Sequence, residues 1–145
     1  MASGRSHSIA SLTAATCFAV TAIYTDNPAL LWTAAGAFVG VVLTPDLDQN
    51  GLTIADYFVN TIPRFGSAIG KIWLWYSWLY RWLFSHRSFW THFPFVGTVI
   101  RVAYFLWPLY YFGWYPPPAM LNGLVAVDAI HWLMDARLLR RIFYQ

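Results

Sequence analysis

Four long apolar segments, each closed at one end by a short motif carrying histidine or aspartate, constrain this chain more than anything else in it. They cover residues 9–24, 29–43, 93–115 and 119–134. A bilayer crossing wants about 20 apolar residues, with roughly 17 as the lower end. The third segment has that length unaided, and the other three are marginal and need flanking residues or a thinned bilayer. Composition points the same way. Of the 145 residues, 59% are hydrophobic and 10% charged, against about a quarter charged in an ordinary soluble domain. The pattern predicts a single all-α membrane domain over residues 1–145, a bundle of four transmembrane helices.

Turn signals separate the segments where such a bundle needs them. TDNP (25–28) divides the first from the second, and GWYPPP (113–118) the third from the fourth, since successive prolines cannot continue a helix. Pro108, inside the third segment, should kink it and free backbone groups that need partners from a neighbouring helix. The run after Arg5 lacks a small-residue cleavage site and reads as a retained membrane helix, not a signal peptide. Cys17 is the one cysteine, which excludes an internal disulfide and a thiolate metal cluster. It reads as a small buried side chain.

Between the second and third segments, residues 66–85 place Trp73, Trp75, Tyr76, Trp78, Tyr80 and Trp82 close together. Such density predicts an aromatic-rich helix in the headgroup layer, with Lys71 and Arg81 facing phosphates. The partners implied are membrane lipids and a membrane protein docked on the aromatic face. A net charge of +3, spread among tryptophans and tyrosines, argues against nucleic acid. The turns at 25–28 and 113–118 hold no basic residue. The positive-inside rule therefore puts both termini and the polar motifs on the cytoplasmic side.

Every histidine lies in one of those motifs: SGRSHS (His7), HRSFWTH (His86, His92) and DAIHWLMD (His131). TPDLDQ adds Asp46 and Asp48. With helices alternating in direction, His7 stands just before the first and Asp46 and Asp48 end the second. His86 and His92 flank the start of the third, and His131 and Asp135 end the fourth. All then meet at one membrane face. Asp128, His131 and Asp135, spaced i, i+3, i+7, share a side of their helix. An aspartate at position 128 would be costly in the bilayer unless functional; it acts as a ligand or on water, or pairs with an arginine such as Arg101. Arg87 suits a phosphate oxygen, or anchors at the headgroups.

Mixed His and Asp donors without thiolate suit zinc, manganese or iron(II). The candidate ligands His7, Asp46, Asp48, His86, His92, His131 and Asp135 exceed what one tetrahedral zinc uses, which leaves room for two ions. Such a site at a lipid surface predicts hydrolysis of a phospholipid or lipid phosphate, with Asp128, Asp135 and Arg87 as catalytic candidates. The rival reading is a non-catalytic membrane module that metal tightens and a partner docks against. A metal carrier fits less well, because the polar residues gather at one face and line no path across the bilayer.

SGRSHS, TPDLDQ, HRSFWTHFPFVGTVIRVAY and the late HxxxD resemble the DUF2227-type family of uncharacterised membrane metal-binding proteins, and more distantly the YdjM-type inner-membrane metal-dependent hydrolases. The likeness covers most of the chain, and HRSFWTH with the following GT-x-x-R is its most specific part. It implies a small multi-pass protein of a bacterial or cyanobacterial inner membrane, with the metal role falling on the seven candidates above. Members commonly follow the first His with an acid, where this chain has Ser8.

Overall fold

The computed structural model describes residues 4–48, 66–84 and 88–136. Among the described residues every regular element is helical: α1 (Gly4–Thr25), α2 (Pro28–Val42), a 3-10 turn (Pro45–Asp48), α3 (Gly66–Leu83), the short α4 (Phe89–His92), α5 (Pro94–Tyr111) and α6 (Pro118–Asp135). His86 and Arg87 lie outside the described residues, as does the side chain of Asp48.

Proline and its neighbours set the starts. Pro28, Pro94 and Pro118 open their helices, where a missing N–H removes no hydrogen bond. Asn27 caps α2, its side chain accepting from the Ala29 amide at 3.0 Å. Asp26 takes the left-handed conformation, φ 50°, that turns the chain back after α1. α1 begins earlier than the apolar pattern suggests, because nothing from Arg5 to Ser8 breaks a helix. His7 is therefore inside α1 and not ahead of it.

α2 packs between α1 and α6. Small residues make this possible: a Cβ on Gly36 would collide with the Met120 carbonyl, and one on Gly123 with the Thr33 carbonyl. Backbone meets backbone there, as in closely crossing helices of membrane proteins. On α1 the inward stripe is His7, Ser11, Ala15 and Ala22. Cys17 falls about 200° around the helix from Ala15. It is exposed on the outer side and not buried as its residue type suggests.

α3 rests on the end of α2 and the middle of α5, where Leu43, Leu47, Tyr80 and Phe105 are buried together. Tyr76 stacks on Tyr104 with ring centroids 4.6 Å apart. The Tyr104 hydroxyl donates to the Tyr76 carbonyl at 3.0 Å, and the Tyr76 hydroxyl donates to the Tyr104 carbonyl. The second bond answers the question raised by Pro108, which lies inside α5. Lacking an N–H, Pro108 leaves the carbonyl four residues earlier without its helical donor. That carbonyl belongs to Tyr104, and Tyr76 fills the gap from a neighbouring helix. Burial pushes the Tyr76 phenol above its ordinary value, so it remains a donor. The opposite side of α3 leaves Trp75, Trp78 and Trp82 exposed.

Among the described residues, two stretches, Ser6–Thr25 and Pro28–Leu47, are by length and composition long and apolar enough to cross a membrane. The third and fourth segments form α5 and α6 of 18 residues each. Arg101 interrupts the apolarity of one, and Asn122, Asp128, His131 and Asp135 that of the other.

Candidate metal centre

Four separate elements deliver the polar cluster. α1 supplies His7 from its first turns. The 3-10 turn after α2 supplies Asp46; it is pinned by Leu47, fully buried, whose carbonyl accepts from Arg81 Nε at 3.0 Å. α4 supplies His92. The last turns of α6 supply His131 and Asp135, one turn apart on the same side.

Their donor atoms converge. His7 Nε2 lies 3.4 Å from Asp135 Oδ1, and His131 Nε2 lies 3.6 Å from Asp46 Oδ1 and 3.7 Å from Asp135 Oδ2. His92 Nε2 is 4.0 Å from Asp46 Oδ1. His7 and His131 stack with centroids 3.7 Å apart and planes 12° from parallel. Two overlapping groups can each offer one ligand atom with all atoms within 4.8 Å of one another: His7, Asp46 and His131, and His92, His131 and Asp135. His131 belongs to both.

The spacing fits a shared cation. Bonds of about 2.0–2.2 Å from zinc to nitrogen or oxygen place the donors of a tetrahedral ion about 3.3–3.6 Å from one another. Three of the separations above fall at or just beyond that edge length. They are also too long for good hydrogen bonds. Correspondingly, His131 Nε2 and Asp135 Oδ1 are buried with no hydrogen bond among the described residues. Each such atom costs about 1–3 kcal/mol unless something satisfies it. Three imidazoles and two carboxylates suit a borderline divalent ion.

His92 is aimed by its neighbour. Its Nδ1 is 3.0 Å from Thr91 Oγ1, whose own proton goes to the Ser88 carbonyl at 3.3 Å. With the Thr91 proton on that carbonyl, Nδ1–H donates to Oγ1 and the lone pair stands on Nε2, the nitrogen facing Asp46, the tautomer that metal-ligating histidines use.

Of the residues singled out in the sequence, the fold gathers His7, Asp46, His92, His131 and Asp135. Asp128 belongs to neither donor group. It is buried against α5, accepting from the Arg101 guanidinium and the Thr98 hydroxyl; the arginine pair, one of the roles open to it, is the one formed. Thr91 and Thr98 escaped notice as individual residues. Their signal was the run TH followed by GT-x-x-R, read only as a family resemblance.

The family model described as uncharacterised metal-binding protein (DUF2227) matches residues 2–140. No curated protein and no solved structure matches the chain.

Proposed function

The chain belongs to this metal-binding family, and from that premise we propose that it is a multi-pass bacterial inner-membrane protein whose four long helices hold a divalent ion at the cytoplasmic face. We further propose that it is a metal-dependent hydrolase of a phospholipid or lipid phosphate. One observation carries the reading: four donors from three elements, His7, Asp46, His131 and Asp135, meet at or just beyond tetrahedral-edge spacing with buried atoms that lack hydrogen bonds, and His92 from a fourth element lies 4.0 Å from Asp46. They sit at the start of α1, after α2, before α5 and at the end of α6. Antiparallel crossings bring those ends together, and the positive-inside rule puts them in the cytoplasm.

Zinc, manganese and iron(II) are the fitting ions. When bound, such an ion supplies Lewis acidity toward a phosphoryl oxygen and acidifies water. The residues do the rest. Because His131 is common to both donor groups, one ion is the simplest occupancy, and a second would draw on Asp48 or His86. Asp135, 19% exposed beside the nearly closed His131, marks the open side, where its carboxylate can take a proton from water. Arg87 would pair with phosphate oxygens.

A specific observation also favours the rival, a metal-stabilised module without catalysis. His7, Asp46 and His131 are all buried, and closed, protein-ligated ions are the mark of structural sites. The exposed Trp75, Trp78 and Trp82 would then dock a membrane partner. Elemental analysis of detergent-purified protein, with His92→Ala and His131→Ala as controls, tests the ion. Release of phosphate or headgroup from a lipid panel tests the chemistry. Full occupancy with no turnover on any lipid would sink the hydrolase and leave the module.

A further inference from the structure

We propose that Arg101 is a positioning residue whose single guanidinium sets two metal donors, His92 and His131, at once; the inference rests on the metal-site reading above. Arg101 is 2% exposed, a buried cation that the metal chemistry leaves unused. Its Nη1 donates to the Thr91 carbonyl at 2.7 Å, and its Nη2 donates to the Asp128 carboxylate. Each arm leads to a ligand. Thr91 precedes His92 and holds its Nδ1 at 3.0 Å. Asp128 lies three residues before His131 on the same side of α6, and Thr98 holds the same carboxylate oxygen.

The α4 segment needs such a clamp. It has four residues and no side-chain cap at Ser88, and it runs directly into Phe93 and Pro94. Its backbone bonds to Ser88 and Phe89 hold one helical turn together but do not tie that turn to α6, where His131 lies. Gly97 makes the approach possible, because a Cβ there would collide with the Thr91 carbonyl and crowd Arg101 Nη1 at 3.2 Å. The GT-x-x-R run thus has a use for each member: Gly97 clears the space, Thr98 and Arg101 grip Asp128, and Arg101 reaches across to α4. A buried ion pair is a poor source of net stability, since apolar side chains of like volume often do as well. Its planar fork, however, fixes the spacing of two segments separate in the chain, which an apolar contact does not.

The test titrates Co²⁺, as a spectroscopic stand-in for zinc, into the full-length protein in detergent. It compares wild type with Thr91→Val, Arg101→Lys and the charge-free double variant Arg101→Met with Asp128→Leu. Loss of outer partners of metal ligands typically weakens affinity about 10–100-fold. We expect that loss in all three variants, with a changed Co²⁺ d–d absorption. The metal-free proteins should still unfold in a cooperative transition, at midpoints lowered by no more than one stranded polar group costs. Should Arg101→Lys fail to fold, the double variant decides, because it removes the guanidinium without leaving an unpaired charge; Thr91→Val tests the hydroxyl link to His92 alone. Wild-type affinity and spectrum in the double variant would overturn the proposal while the metal site stands. A wild-type protein that binds no Co²⁺ would overturn the metal reading and this inference with it.

Discussion

Removing the ion should cost the fold a measurable part of its stability. Without a cation, His131 Nε2 and Asp135 Oδ1 remain buried and unsatisfied. At about 1–3 kcal/mol each the penalty is several kcal/mol, reduced as side chains relax and water enters. Linkage gives an independent figure: free ion at 100 times its dissociation constant stabilises the bound state by about 2.7 kcal/mol. For a chain of this size a kcal/mol is worth roughly 2–4 °C in midpoint, so chelation should lower it by about 5–11 °C. The assay is thermal unfolding in detergent, with EDTA and then with zinc raised to saturation. His131→Ala should unfold at one temperature in either condition, because it removes the donor common to both ligand groups. A wild-type midpoint that ignores zinc across the whole titration would refute the reasoning, since the orphaned atoms would then have found other partners.

Two further outcomes follow from the packing. Tyr76→Phe should cost about 1–3 kcal/mol by stranding the Tyr104 carbonyl, and much less in a Pro108→Ala background, where the helix supplies its own donor; a double-mutant cycle by unfolding reads the difference, and equal costs in the two backgrounds would disprove the link. Gly123→Leu should lower the unfolding midpoint by the equivalent of about 1–3 kcal/mol or more, the usual toll of overpacking, because its side chain would displace the Thr33 backbone.

Much of the site was legible in the sequence, because helical periodicity and turn chemistry are local. TDNP and the prolines at 116–118 divide the helices where they divide in space, and the i, i+4 spacing of His131 and Asp135 fixes their shared side whatever else the chain does. Alternating helix direction then sends His7, Asp46, His92 and His131 to one end. What stayed hidden depends on contacts between segments far apart in the chain. Whether Asp128 faces the ion or Arg101 turns on how α6 is rotated against α5, which no local pattern encodes. The partner of the carbonyl freed by Pro108 is likewise 28 residues away, on α3. Cys17 went astray for a related reason: residue type speaks to average burial, and the side of α1 that meets α2 is set by Ser11, Ala15 and Ala22.

The order in which the five donors occur has a consequence for biogenesis. Two come from the first third of the chain, and His131 and Asp135 from its last helix, so a nascent polypeptide exposes the final pair of donors last. Both donor groups contain His131, so neither is complete until the last helix has docked beside α2, and a chain cut short before it would hold neither.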